Sequence, residues 1–314
     1  MKLFSKFSLF FLTILLFSQC EKDETIGTSD SFLNSLIHRG IDTNGDGKIS
    51  STEAKAVRKL DISNELVTDL TGIGSFTNLD TLICEYNKLT EIDMSGNPGL
   101  LYLACGWNYD LTTLNVSRNS SLKYLSCNSL SLSGLDVSNI TALVQLDCTG
   151  DQLHSIDVSK NLSLEWLGCV SNNLTALDVS NNIALKFLYC DANQLNNIDI
   201  TMNQHLTGLG CSYNILSGLN VSQNPDLTEI RCNNNNLSVL RVSLNSELQD
   251  LDCGGNQLTS LDLSSNTALQ ELRINDMPTL LKVCVVVRPF PQQNVTVYEP
   301  GSPNFRFSTD CTSF

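Results

Sequence analysis

Residues 42–53 read DTNGDGKISSTE, with oxygen-bearing side chains at the first, third, fifth, ninth and twelfth places and Gly47 at the sixth. Asp42, Asn44, Asp46, Ser50 and Glu53, with the carbonyl of Lys48, form an all-oxygen donor set at the spacing of a calcium loop. Hard cations such as Ca2+ take about six to eight oxygens, and glycine at the sixth place allows the sharp turn. Ile49 is the apolar anchor of the loop. A hydrophilic Asx-rich turn would account for neither Ile49 nor Glu53 at its offset.

The flanks supply the elements such a loop needs. Residues 29–40, SDSFLNSLIHRG, place apolar side chains at 32, 33, 36 and 37, a helical face, and residues 50–60, SSTEAKAVRKL, are helix-forming. The whole stretch resembles an EF-hand, which implies calcium as cofactor. Sensor EF-hands come in pairs, and no second loop is present, so a structural role is expected. Val57 already begins the first of a series of repeats, so residues 31–56 are read as a calcium-binding cap on the end of that series.

Self-similarity dominates the rest of the chain. Cysteines stand at 84, 105, 127, 148, 169, 190, 211, 232 and 253, each five residues after a leucine. All spacings are 21 except one of 22. Residues 164–182, LEWLGCVSNNLTALDVSNN, show the unit. The second leucine and the cysteine are two apart and point to one side of a strand. One coil cannot bury its apolar side alone, whereas stacked coils bury a continuous core. The pattern resembles the bacterial 21-residue leucine-rich repeat over residues 57–276. That resemblance implies a solenoid arc of parallel β-strands, ten coils of which would extend about 48 Å at roughly 4.8 Å each.

Two sets of asparagines recur. Asn87, Asn108, Asn172, Asn193, Asn214, Asn235 and Asn256 follow the cysteine by three, where the chain leaves the strand and its backbone groups need partners. Asn97, Asn119, Asn161, Asn182, Asn203, Asn224, Asn245 and Asn266 serve the second half of the unit. Leu130 and Asp151 interrupt the first set, so local irregularity is expected there. The repeat cysteines offer no close pair for a metal cluster. Nine is odd, and Ile62 and Ile274 take their slot at the ends of the array. They are read as small buried hydrophobes. Cys284 and Cys311 fall outside the register and are expected to be disulfide-linked, closing a small β-rich cap over residues 277–314.

The N-terminal stretch bears on location. Lys2 and Lys6 precede an apolar run from Phe7 to Phe17, a signal-peptide core ending at Cys20. It resembles a bacterial lipoprotein signal, implying cleavage after residue 19, lipidation of Cys20 and anchoring in the outer membrane. Phe17 and Gln19 depart from the usual lipobox. Residues 20–30 form a linker, and EKDE at 21–24 resembles a lysine-plus-acid tag for export to the cell surface, or reads equally as solvated linker. The formal net charge is −14, which argues against nucleic acid as a partner.

Outward strand slots are where a partner would bind. The slot two after each leading leucine carries Tyr102, Tyr124, Trp166 and Phe187, then Glu229, Asp250 and Glu271. Neighbouring slots read as outward add Tyr86, Trp107, Tyr189 and Tyr213. Exposed aromatics at one coil spacing mark recognition, or pack one coil on the next. A protein partner suits the leucine-rich-repeat resemblance, and a glycan suits an aromatic stripe. His38, His154 and His205 form no catalytic constellation, and Asp136, Asp157, Asp178 and Asp199 read as turn residues. A non-enzymatic, monomeric binding protein is expected.

Overall fold

The structure is a computed structural model that describes residues 23–286, 290 and 295–311. The signal segment and Cys20 lie outside the described residues. Among those residues, twelve three-residue strands pair in parallel as one sheet, from Lys59–Asp61 to Thr296–Tyr298. Register is strict: Leu146 pairs with Leu167, Leu167 with Leu188 and Leu188 with Leu209. Strand centres are buried and their flanks point to the opposite side, the period-two alternation the repeat requires, except at the last strand, whose central Val297 is half-buried.

The sheet has twelve strands where ten coils were expected. Lys59–Asp61 adds one ahead of the cysteine-bearing coils, and Thr296–Tyr298 pairs onto Glu271–Arg273. Lys282–Cys284 likewise joins Ser260–Asp262 and Arg306–Ser308 in a second, three-stranded sheet. The residues beyond 276 thus continue both sheets, which satisfies backbone groups that the last repeat would leave open. Cys284 and Cys311 are joined by a disulfide with Cα atoms 5.6 Å apart.

The nine repeat cysteines are free and buried, as are Ile62 and Ile274 in the same slot. Their sulfurs do slightly more than fill space. Cys190 Sγ donates to the Gly210 carbonyl of the next coil at 3.3 Å, and Cys148 Sγ to that of Gly168 at 3.4 Å. Burial raises their thiol pKa values, that of Cys169 to about 12.

The asparagines carry the turns. Asn193 Nδ2 donates to the carbonyls of Cys169 at 2.9 Å and Cys190 at 3.1 Å, and its Oδ1 accepts the Leu174 N–H at 3.0 Å. In the second set, Asn182 Nδ2 donates to the carbonyls of Val158 at 3.0 Å and Asn161 at 2.9 Å. Ser302 closes the first ladder, accepting the Met277 N–H at 2.8 Å and donating to the Ile274 carbonyl at 2.6 Å.

The irregularity expected at Leu130 and Asp151 does not break the sheet, because strand pairing runs through it in register. It is chemical. Asp151 Oδ1 accepts the Leu130 N–H at 3.0 Å. Oδ2 lies where an asparagine would donate, and it is buried with no partner among the described residues. Only a protonated carboxyl supplies a donor there, and burial pushes the Asp151 pKa up to about 7. A folded-state value above the unfolded one means the native protein keeps the proton longer. The associated stability is complete below about pH 4 and is lost as pH rises through about 7. Asp151→Asn is therefore expected to raise the melting temperature at about pH 8 by about 2–4 °C and to flatten its decline between about pH 5 and 8. Thermal melts across that range check this, and parallel curves for the two proteins would count against it.

The first coil is covered from the N-terminal side. Helix α1 (Asp30–His38) buries Phe32 and Leu36, with Phe32 packed 6.0 Å from the Phe76 ring. Helix α2 (Ser51–Ala56) buries Ala54 and ends at Val57, where the chain turns into the first strand. Glu65 ties the first coil back to α1 through His38 at 2.9 Å and Arg39 at 2.7 Å.

Candidate binding surface and metal loop

Between the helices, the loop has its turn geometry in place. Gly45 and Gly47 have φ of 72° and 76°, a left-handed region that favours glycine. Asp42 accepts the N–H groups of Gly45 at 2.8 Å and Gly47 at 2.9 Å. Asn44 accepts that of Asp46, and Asp46 that of Lys48, at 2.8 and 2.9 Å. Glu53 reaches back across the loop to its second, third and ninth residues. Its carboxylate accepts the Ser50 N–H at 2.9 Å in the capping box of α2 and the Thr43 N–H at 2.7 Å. These bonds lower its pKa to about 2. The donor chemistry of Asp42, Asn44, Asp46, Lys48, Ser50 and Glu53 fits a hard cation. Among the described residues, however, the group of three acidic, histidine or cysteine ligand atoms within 4.8 Å of one another is Asp262, Cys284 and Cys311, and its sulfurs form the disulfide.

The segment before α1 is partly committed, although residues 20–30 read as linker. The Ile26 N–H donates to the Ile49 carbonyl at 2.9 Å and the Ser51 N–H to the Glu24 carbonyl at 2.7 Å, an antiparallel bridge across the loop's apolar anchor. Asp23 accepts the Thr52 N–H at 3.0 Å at the start of α2. One loop is thereby braced by the chain's own preceding residues.

The aromatic residues divide into two groups. Tyr102, Tyr124, Trp166, Phe187 and Tyr189 occupy outward positions on the main sheet. Tyr102 and Tyr124 rings lie 6.0 Å apart, and Tyr189 packs 6.1 Å from Trp166 and 6.5 Å from Phe187. Tyr86, Trp107 and Tyr213 are not in strand slots. They stand just past the strands at φ of 55°, 61° and 53°. A left-handed residue is needed there to swing the following residue inward, and the slot elsewhere holds Asn64, Ser129, Gly150, Ser171, Ala192, Asn234, Gly255 and Asp276. A bulky residue in this conformation costs about 1–2 kcal/mol. Tyr86 and Trp107 stack with planes 3° apart, and Tyr109 meets Trp107 edge-on.

Glycines that sequence reading passed over decide how the strand-face rings lie. A Cβ on Gly168 would stand 2.3 Å from the Trp166 ring, so the indole folds down over that glycine. Gly208 and Gly210 admit the Phe187 and Tyr189 rings in the same way. The signal was present as glycine in outward columns beside aromatics. Beyond them the face is charged. Arg231 meets Glu229 at 2.8 Å, and Arg273 meets Asp250 at 3.2 Å and bonds Glu271. Arg273 also lies over the Tyr298 ring, 5.4 Å from its centroid. On the far side, Asp157 and Asp178 each accept the N–H of a serine two residues on at 2.9 Å, as turn residues do.

Strand register, buried cysteines and asparagine turns define a leucine-rich-repeat solenoid. No family model matches the chain, and no curated protein matches it in sequence. Among solved structures it is similar to the functional domain of InlJ from Listeria monocytogenes, which includes a cysteine ladder, with TM-score 0.81 and 31% identity over 90% of this chain. The chain spans 64% of the length of that domain. It also resembles YopM, a leucine-rich effector from Yersinia pestis, with TM-score 0.58 and 19% identity over 88% of this chain and 93% of that one. The plant peptide hormone receptor RGFR1 in complex with RGF2 matches with TM-score 0.63 and 18% identity over 78% of this chain and 48% of the receptor. The last two likenesses concern the fold.

Gly168→Ala is expected to lift the Trp166 ring from the strand with little loss of stability. In a Trp107→Phe background this reads as a red shift of tryptophan emission by a few nanometres, and unchanged emission would show that the indole does not rest on Gly168.

Proposed function

We propose that this protein is a non-enzymatic surface lipoprotein whose strand face recognises a protein partner. It is anchored in the outer membrane through a lipid on Cys20, with calcium bracing its N-terminal cap. The row of aromatic side chains on the strand face carries the reading: Tyr102, Tyr124 and Phe187 each keep 37–41% of their surface exposed. Apolar rings held in water on a rigid sheet cost little ordering entropy on binding and make strong interface anchors. The plant receptor of the same fold, solved with a peptide hormone, supports a polypeptide ligand.

The combined variant Tyr124→Ala/Trp166→Ala/Phe187→Ala tests this against Asp157→Ala/Asp178→Ala on the far side. Chemical crosslinking on intact cells should capture a saturable protein partner with the far-side variant and lose at least about tenfold with the strand-face variant. Binding to a neutral-glycan array lost in that same variant would instead favour a sugar ligand. Equal capture by both proteins would place recognition elsewhere.

For the loop, the expected outcome is one calcium bound per chain with a dissociation constant of about 0.1–1 mM, suited to an extracellular supply. Glu53→Gln should abolish it, and chelation should lower the wild-type melting temperature by several degrees. Calorimetry showing no binding heat, with melting unchanged by chelator, would remove calcium from the account.

A further inference from the structure

The strand Gly208–Gly210 offers no outward side chain of its own, and the preceding coil covers it. A Cβ on Gly208 would stand 2.9 Å from Phe187 Cδ1 and 3.0 Å from Tyr189 Oη, and one on Gly210 2.8 Å from Tyr189 Cδ1. The two rings therefore lie over this coil, their planes 16° apart. Carboxylates frame them. Asp191 Oδ1 accepts the Ser212 N–H at 2.7 Å, and its Oδ2 lies 2.4 Å from where a Gly210 Cβ would be. Glu229 stands on the next strand, followed by Asp250, Asp252 and Glu271.

Charge on this end of the face is unbalanced. The basic residues on these strands are Arg231 and Arg273. Arg231 is held by Glu229 at 2.8 Å and Asp250 at 3.8 Å, and Arg273 by Asp250 and Glu271. Burial keeps Asp191, Glu229 and Asp252 above the usual carboxylate range despite these guanidinium groups. The same face also shows what such groups receive. Arg273 lies over the Tyr298 ring while its guanidinium meets Asp250 and Glu271.

We infer that the Phe187–Tyr189–Asp191–Glu229 cluster over the Gly208–Gly210 coil is an anchor subsite for an arginine side chain of the protein partner. The inference rests on the strand-face reading above. A guanidinium is planar and weakly hydrated, so it stacks on an aromatic face while its edge donates to carboxylates. A lysine ammonium matches the charge but not the plane. A neutral sugar could donate hydroxyls to the carboxylates but would leave their charge without a counter-charge, and an anionic one would be repelled.

The test pans a displayed random peptide library on the mature protein and synthesises the best binder with arginine or with neutral, near-isosteric citrulline. Enriched peptides are expected to share an arginine. Its citrulline form should bind at least about tenfold more weakly, as should the arginine form to Asp191→Asn and to Glu229→Gln. Affinity should also fall with salt. Circular dichroism melts check that both variants stay folded, and Glu229→Gln alone decides the matter if Asp191→Asn does not. Binders that lack arginine, or that bind equally as citrulline, overturn the subsite. If they are still lost in Tyr124→Ala/Trp166→Ala/Phe187→Ala, the strand-face reading survives. If they are indifferent to that variant as well, the strand-face reading fails too.

Discussion

Everything in this protein depends on satisfying the backbone where each coil leaves its strand. A parallel solenoid buries those turns against the core, beyond the reach of water, and an unpaired buried carbonyl or amide costs about 1–3 kcal/mol. The inward asparagines answer this repeatedly, one amide reaching carbonyls of its own coil and of the preceding one. Because each amide links neighbours, stability is shared along the array and coils are not independent. The buried cysteines suit the same constraint. They are small enough to leave room for the turn, and their S–H reaches the next coil's carbonyl.

That constraint fixes what the outer face can do. Once the strand centres and cysteines point inward, the flanking residues must point outward at one coil spacing, whatever their chemistry. The chain uses this freedom unevenly. Aromatics occupy the middle of the face, glycines let their rings lie flat, and a charge network with excess carboxylate occupies the far end. Rings lying flat beside partly buried acids form a surface with pronounced chemical character.

The ends obey the same logic. A terminal coil exposes both core and backbone, and the two termini meet this differently. At the C-terminal side the chain adds strands to both sheets, with Ser302 in the role of an asparagine and a disulfide holding the last strands. At the N-terminal side α1, α2 and the loop between them lie over the first coil, braced by residues 23–26. The loop is thus part of the end cover, consistent with its solitary occurrence.

The repeat itself was legible in the sequence, because a 21-residue period leaves each inward position only one kind of environment. Leu188, Cys190 and Asn193 could be assigned burial and direction from spacing alone, and Ile62 and Ile274 exposed the cysteines as packing residues. Positions outside that periodic demand were less readable. Tyr86, Trp107 and Tyr213 looked like strand residues, yet they sit at left-handed turns, since one residue of offset exchanges a pleat for a turn. Asp151 read as a break, whereas the fold keeps its register and changes its proton. Ring orientation over Gly168, Gly208 and Gly210, the committed arginines, and the bracing of the loop by Glu24–Ile26 were decided by tertiary structure alone. Trp166 over Gly168 and the Arg231–Glu229 and Arg273–Glu271 pairs join residues two apart on one strand, while the other contacts join residues about 20 or more apart that meet only when coils stack; in neither case does spacing say which neighbour a side chain leans toward.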